Sequence, residues 1–394
     1  MSPKAKRQYQ NMMHILLLVI LTSMGKFMLY DPYIKSDMGI NTPLTANAGD
    51  AINNTEVESI QKVTLIAVGD VMMHDTEMKA GYDAKTDTYS FDDLFINIKP
   101  FLSGDIVYAN LETPVAGKEL KYGGYPNFNA PNELLDALKN SYFTHLSLAN
   151  NHALDRGAVG LSNTVKNVEN LNFVALGARN DNSKNNFEIT EINGVRFGFL
   201  SYTYGTNGLK LSDKNAYMLS YINKDQIKKD IIDLKSKGVD VTIATFHFGE
   251  EYRLTENEYQ KDIASFACAN GADMVLGAHP HVLQPIVYLN DNKCLVAYSL
   301  GNFVSGMSSE YKDLGGVLKV EISKKDDVIE MVPDFMGTWV KRSTDANGMK
   351  TFTVVPLPKD KIPDTIPVTK AEEIRLEMYR KFIDTKIKTY TSKS

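Results

Sequence analysis

The chain has 394 residues, 43% of them hydrophobic and 23% charged, with a formal net charge of −5. That hydrophobic content can fill a substantial core and excludes a largely disordered chain. The acidic balance, with no Lys/Arg-dense stripe to replace phosphate counterions, excludes a nucleic-acid partner. Two cysteines, Cys268 and Cys294, lack CxxC spacing and are too few for a disulfide framework, so they read as two buried thiols in preference to a single bridge.

In chain order, Lys4, Lys6 and Arg7 precede the apolar run Met12 to Tyr30. A basic flank before a greasy stretch is a targeting signal. Its core, Ile15 to Leu21, resembles a signal-peptide h-region, while the whole run can span a bilayer if Lys26 snorkels to the interface. Both readings export the remainder of the chain. The cleavage-like Ala46-Asn47-Ala48 lies far beyond the h-region, so an uncleaved, single-pass anchor in the cell membrane is expected, with the main domain extracellular. Residues 1–30 are then a cytoplasmic tip and anchor. Residues 31–61, rich in Asn, Thr, Ala and Ser without periodicity, form an extracellular linker.

From Lys62 the texture changes to short β-branched or apolar runs separated by helical stretches, the pattern of an α/β domain. "KVTLIAVGD" reads as a buried strand delivering Asp70, "GDIVYANLE" as one delivering Asn110 and Glu112, and "FTHLSLANNHALD" as one ending near Asn151 and His152. "GVRFGFLSYT" follows an Asn193-Gly194 turn, "VDVTIATFHFGEE" ends at His247, and "ADMVLGAHPH" brings His279 and His281 to a strand end. "NELLDALKN" and "NKDQIKKDIIDLKSKG" are amphipathic helices that would cover a sheet. "GGVLKVEI", "VIEMVPDF" and "TFTVVPLP" add strands, and "KAEEIRLEMYRKFIDTKIKTY" a helix. No linker interrupts residues 62–358, which read as one large domain, and 359–394 as a C-terminal helical tail.

Five of the seven histidines, His74, His152, His247, His279 and His281, lie at or beside the ends of apolar runs. In an open α/β sheet, ligands bind beyond the carboxyl ends of the strands, so such residues converge although distant in sequence. Asp70, Glu112, Asn151, His247, His279 and His281 would offer a mixed oxygen and imidazole set suited to Zn, Mn or Fe, and Glu112 could bridge two ions. His152, oriented by Asp155, would serve as proton donor, and Arg156 would hold an anionic group.

Taken singly, each has a plainer reading. Asp70 suits a turn or cap, Glu112 the cap of the turn after it, and His247 a polar strand terminus. His74 reads as a solvated loop histidine and His145 as a satisfied core residue. His279 and His281 are the strongest pair, because H-x-H on an extended segment points both rings to one face.

The phrases "AVGDVMMHD", "ANLETPV", "LANNHALDRG", "FHFGEEY", "GADMVLGAHPHVLQPI" and "AYSLGNFV", in this order, resemble the CapA family of poly-γ-glutamate capsule-synthesis proteins. The domain of that family is similar to the calcineurin-like metallophosphatases. The resemblance implies a four-layer α/β/β/α sandwich, an N-terminal membrane anchor, one or two divalent metal ions, and a role in making, exporting or retaining a capsule polymer. The implied partners are the anionic polymer itself and other membrane subunits of a capsule synthesis or export complex.

Asp70, Asn151-His152, His247 and His279/His281 match the metallophosphatase blocks. Glu112 stands where an aspartate is usual, Asn150 where a glycine is usual, and His74 is displaced two residues from the usual first-block position. Three functions remain open: a capsule protein whose centre cuts or grips the polymer, an extracellular metal-dependent phosphoesterase, and a non-catalytic accessory subunit. No Walker A, GxGxxG, GxSxG or SxxK motif is present, so ATP-driven ligation and serine chemistry belong elsewhere.

Overall fold

A computed structural model describes residues 60–345 and 348–390. The expected anchor, Met12 to Tyr30, and nearly all of the expected linker lie outside them. No helix among the described residues is long and apolar enough to cross a membrane.

The first strand, β1 (Gln61–Val71), is buried on both faces: Val63, Leu65 and Ala67 point one way, Ile66 and Val68 the other. Continuous burial of this kind marks a strand sandwiched between two layers. After it come α1 (Asp75–Gly81), a small hairpin β2 (Tyr82–Asp83) and β3 (Thr88–Tyr89), then β4 (Ile106–Leu111), α2 (Glu133–Asn140), β5 (His145–Ser147), α3 (Gly157–Asn170) and β6 (Val174–Leu176). Next are β7 (Phe187–Ile192), β8 (Val195–Thr203), α4 (Lys224–Ser236), β9 (Val241–His247), α5 (Glu258–Asn270), β10 (Met274–Ala278), β11 (Ile286–Leu289), β12 (Cys294–Ala297) and β13 (Asn302–Val304). The chain closes with β14 (Leu314–Lys325), β15 (Val328–Thr344), β16 (Lys350–Leu357) and α6 (Lys370–Phe382).

Two sheets result. One runs β16-β15-β14-β1-β4-β5-β6, with β13 also paired to β1; the other runs β11-β12-β10-β9-β8-β7. Each contains a parallel run: β1, β4, β5 and β6 in the first, and β8, β9, β10 and β12 in the second. Helices lie in the connections of these runs except between β10 and β12, where the chain passes through β11. Leu65, Tyr108, Phe197, Ile243 and Leu276 fill the space between the sheets. Leu134, Leu138, Leu161 and Val165 of α2 and α3 pack on the outer face of the first sheet, and Ile227, Ile231 and Ile263 of α4 and α5 on that of the second. The packing order is therefore helix, sheet, sheet, helix.

The regular part of the last helix ends at Phe382 and passes into a π-helical turn, Ile383–Ile387. Leu376 and Tyr379 of α6, with Ile383 and Ile387, belong to the cluster between the sheets. Strand β7 and helices α3 and α5 add to the elements expected from sequence. The start of α5 carries a full capping box, Asn257 with Gln260, a signal visible in the sequence as N-x-x-Q.

The two cysteines correct the expectation of free thiols. Cys268 of α5 and Cys294 of β12 form a disulfide, with Cα atoms 5.7 Å apart. Spacing could not show this, because the pairing depends on α5 lying across the outer face of the second sheet. The bridge closes a loop of sequence separation 26. A loop of this length constrains the unfolded chain by about 3–4 kcal/mol in the chain-entropy model. The Cys268→Ala/Cys294→Ala variant should lose stability of that order in urea unfolding, and an unchanged midpoint would show that the bridge constrains nothing.

Candidate metal centre

Asp70, Asn110, His247 and the residues after Ala278 all sit at carboxyl ends of parallel strands, from both sheets. Close backbone approach makes this possible. A Cβ on Gly69 would lie 1.9 Å from the Gly301 carbonyl oxygen, and one on Gly277 would lie 2.0 Å from that of Tyr298. Glycine therefore lets β1 and β10 run tight against the 298–301 segment immediately before their functional residues.

At the centre, Asp70 Oδ1 accepts from Asn110 Nδ2 at 2.8 Å, and Asp70 Oδ2 lies 3.1 Å from His281 Nδ1. The same His281 Nδ1 is 3.1 Å from Asn302 Oδ1, which leaves Nε2 facing Glu112 Oε1 at 3.7 Å. His247 Nε2 lies 2.9 Å from Asn151 Oδ1 and 3.4 Å from Glu112 Oε1, while its Nδ1 is 3.3 Å from Asn110 Nδ2. Nδ1 of His247 thus faces the Asn110 amide, and Nε2 faces Asn151 and Glu112. The His279 ring stands 4.8 Å from that of His247 and 5.9 Å from that of His281. Thus the six residues expected as ligands, Asp70, Glu112, Asn151, His247, His279 and His281, are brought together and are all buried.

The H-x-H segment is not extended. Strand β10 stops at Ala278, and His279 and His281 take left-handed backbone conformations, with φ of 98° and 56°. Bulky residues pay strain there, so the turn persists only because the surroundings hold it. The Pro280 carbonyl accepts from the Tyr252 N–H at 2.7 Å, and the His279 N–H lies 3.4 Å from Asp70 Oδ2.

Burial and proximity set the protonation of the cluster. Burial alone would raise Asp70, but the His281 hydrogen bond and the imidazole charges bring its carboxyl below the ordinary value. Burial, then the charge of Asp70, raises Glu112 well above the carboxylate range. Burial would lower His281, yet Glu112 and Asp70 together lift it to about 9. His247 falls to about 3 by burial, and His279 to about 2 by burial and its two imidazole neighbours.

The donor set fits a divalent ion. Glu112 Oε1, Asn110 Oδ1 and His279 Nδ1 are buried without a hydrogen-bond partner, and an unmet buried polar atom costs roughly 1–3 kcal/mol. Glu112, His247 and His279 each offer a ligand atom within 4.8 Å of the others, as do Asp70, Glu112 and His281, and Glu251, His279 and His281. Imidazoles with carboxylates suit Zn, Mn or Fe, and binding would displace the protons that the raised Glu112 and His281 hold near neutral pH. Glu112 and both histidines of the turn recur among these groups, consistent with room for a second ion.

His152 Nδ1 lies 2.8 Å from Asp155 Oδ2, which also accepts from the Phe128 N–H at 2.7 Å, so Asp155 fixes the ring and the loop beside it. The His152 ring meets Phe128 edge-on at 4.7 Å. Arg156 donates from Nη2 to the Asn127 carbonyl at 2.8 Å, and no contact among the described residues ties it to the cluster. His74 is not the solvated histidine expected. It is mostly buried, its Nδ1 accepts from the Gly306 N–H at 3.1 Å, and its ring also meets Phe128 edge-on, at 5.2 Å. Packing of the 124–128 and 305–307 loops over α1 buries it, which no local pattern reveals. The sequence reading places Asn110 at a strand end but not among the ligands, and Asn302 and Glu251 escape it altogether. Each follows or ends an apolar run, and that position is the signal that could have flagged them.

The fold and the cluster define a class: a two-sheet α/β protein with a buried carboxylate–imidazole centre whose groups could hold a divalent ion. Comparison with known proteins makes this more particular. The chain belongs to the family described as bacterial capsule synthesis protein PGA_cap, whose model matches residues 64–307. It is 33% identical over 256 residues to a capsule biosynthesis protein CapA of Bacillus anthracis, covering 62% of this chain and 60% of that one. It is 31% identical over 248 residues to a PGA biosynthesis protein CapA of Bacillus subtilis (strain 168), covering 60% and 62%. The chain thus matches about three-fifths of the length of either relative. Among solved structures it is similar to the calcineurin-like phosphoesterase YfkN of Bacillus subtilis, at 15% identity over 82% of this chain and 100% of that one, with a TM-score of 0.43. A hypothetical protein of Thermus thermophilus matches at 15% identity over 69% and 98%, with a TM-score of 0.42.

His145 lies apart, as expected of a core histidine, with Nδ1 2.8 Å from Thr144 Oγ1 and Nε2 3.0 Å from Thr190 Oγ1. Burial lowers it from 6.5 to about 3. Because the folded value lies below the unfolded one, only the unfolded chain gains the proton as pH falls below 6.5. The stability from neutral His145 is complete above that pH and is lost on acidification, by up to about 1.4 kcal/mol per unit. Between about pH 6 and about pH 4, His145→Gln should therefore show a shallower fall in unfolding free energy than the parent chain. Equal slopes would mean that His145 does not take up a proton on unfolding.

Proposed function

We propose that this chain is a membrane-anchored, extracellular protein of poly-γ-glutamate capsule biosynthesis, export or retention, whose centre holds divalent metal and acts on or grips the anionic polymer. The observation that carries the metal reading is the convergence of Asp70, Glu112, Asn151, His247, His279 and His281 around a buried, unpartnered Glu112 oxygen and His279 nitrogen. Family membership and similarity to two CapA proteins support the capsule reading. The Cys268–Cys294 disulfide supports an extracellular domain, since such bonds persist in oxidising compartments and are rare in the cytosol.

A divalent ion at this centre supplies Lewis acidity and a water that loses its proton near neutral pH. The chain's own residues define the rest. Asp70 and Asn302 orient His281 through Nδ1, as outer partners of ligating imidazoles do. Asn110 holds Asp70 and Glu112 together through one amide nitrogen. Asp155 fixes the His152 tautomer, leaving Nε2 to move a proton.

Elemental analysis of the purified full chain should find one or two equivalents of Mn, Zn or Fe, and the His279→Ala/His281→Ala variant should lose most of it and fail to restore capsule in cells. Metal at about 100 times its Kd should add about 2.7 kcal/mol of stability to the parent chain only. A chain free of divalent ion, with a double variant that forms capsule normally, would sink the metal reading. Assay of the loaded chain on poly-γ-glutamate and on a generic phosphodiester separates polymer chemistry from a phosphoesterase, and metal without turnover of either favours an accessory, gripping role.

A further inference from the structure

Glu251 is the exposed carboxylate of the groups at the histidine turn, and an entering carboxylate meets less repulsion there where a cation stands beside it. Arg156 donates to the Asn127 carbonyl, and among the described residues no contact joins it to Glu251 or to the histidine turn.

Lys312 does stand there. It lies in the segment joining β13 to β14, and its backbone is held on both sides. Its carbonyl accepts from Asn302 Nδ2 at 2.9 Å, its N–H donates to the Ser309 carbonyl at 3.0 Å, and the neighbouring Asp313 is buried against Trp339, Arg375 and Tyr379. The Asn302 that anchors it is the same residue whose Oδ1 meets His281. The Lys312 Nζ rests over the Tyr252 ring, 3.2 Å from its centroid, and that ring stands 6.1 Å from the His281 ring. Tyr252 is itself 42% exposed and Lys312 is half-buried, so the pair belongs to the surface layer and not to the core. Among the described residues Lys312 forms no ion pair with any carboxylate; the aromatic face is its partner.

We infer that Lys312, carried on Tyr252, is a specificity residue of the centre: it receives a carboxylate of an anionic polymer chain at the mouth of the histidine turn. This rests on the polymer reading proposed above. A cation stacked on a ring keeps its charge available while its stem is held, so less freedom is lost when an anion arrives. The competing account is that the Lys312–Tyr252 contact merely steadies the loop.

The two accounts separate in a binding titration of a γ-linked glutamate decamer into the metal-loaded full chain, at low and high salt, with melting temperatures measured alongside. Lys312→Met keeps the stem over the ring and removes the charge, and Lys312→Arg keeps both. The Met variant should bind about three- to tenfold more weakly at low salt, as expected of a partly exposed charge contact, with the difference closing near 1 M salt. The Arg variant should stay within about twofold. If Lys312→Met does not fold, Lys312→Gln replaces it in the same comparison. A folded charge-free variant with parental affinity and parental salt dependence overturns the inference while leaving the polymer reading intact. A parent chain that does not bind the decamer overturns both.

Discussion

The buried pairing of Asp70 with His281 joins the two sheets at their functional ends. Asp70 ends β1 in the first sheet, and His281 follows β10 in the second, yet Oδ2 and Nδ1 meet at 3.1 Å with both side chains out of water. Removing charges from water costs several kcal/mol per ion unless geometry and further hydrogen bonds compensate. Here they do: Asn110 donates to the other Asp70 oxygen, and Asn302 lies at the same His281 nitrogen. Other features of the centre depend on this pair. His281 Nε2 is turned toward Glu112, and the backbone between β10 and Leu283 is forced through left-handed conformations to bring the ring in.

That constraint also explains why glycine and strained histidines adjoin. Gly69 and Gly277 admit carbonyl oxygens where a Cβ would collide, so the strand ends come close enough for side chains of two sheets to share one small volume. The resulting cluster is poorly satisfied by itself. Asn110 places one amide nitrogen near three acceptors, though it has only two hydrogens to donate, while its own oxygen is unmet. Natural interiors rarely leave such groups unpaired. A centre arranged to receive a cation accounts for this, because a cation takes the place of the missing donors.

Much of this was legible in the sequence, and the reasons are specific. β1, β4, β9 and β10 could be read because each is an apolar run ending in a polar residue, and the rule that ligands gather beyond parallel strand ends then grouped Asp70, Glu112, His247, His279 and His281. What escaped depends on contacts between distant segments. The disulfide requires α5 to lie over β12, His74 is buried only because two loops close over α1, and the H-x-H turn departs from an extended strand because Asp70 draws His281 inward. Glu251 illustrates a further case: it is exposed, in a short acidic pair, and only the approach of the histidine turn makes it a neighbour of the centre.

The approach to the centre differs in character from its floor. The floor is buried, acidic and imidazole-rich, whereas the mouth carries exposed tyrosines: Tyr204 against His279 at 4.7 Å and Tyr252 near His281. Tyrosine offers broad contact at small entropic cost and leaves its hydroxyl in water. Such a rim contributes little charge, so the sign of what enters is set by the few ionic groups beside it. Glu251 opposes an anion, and Lys312 on Tyr252 offsets it within the same short stretch of surface. The charge met at the mouth is therefore set by one exposed carboxylate and one ammonium, whereas the floor beneath it is set by buried carboxylates and imidazoles.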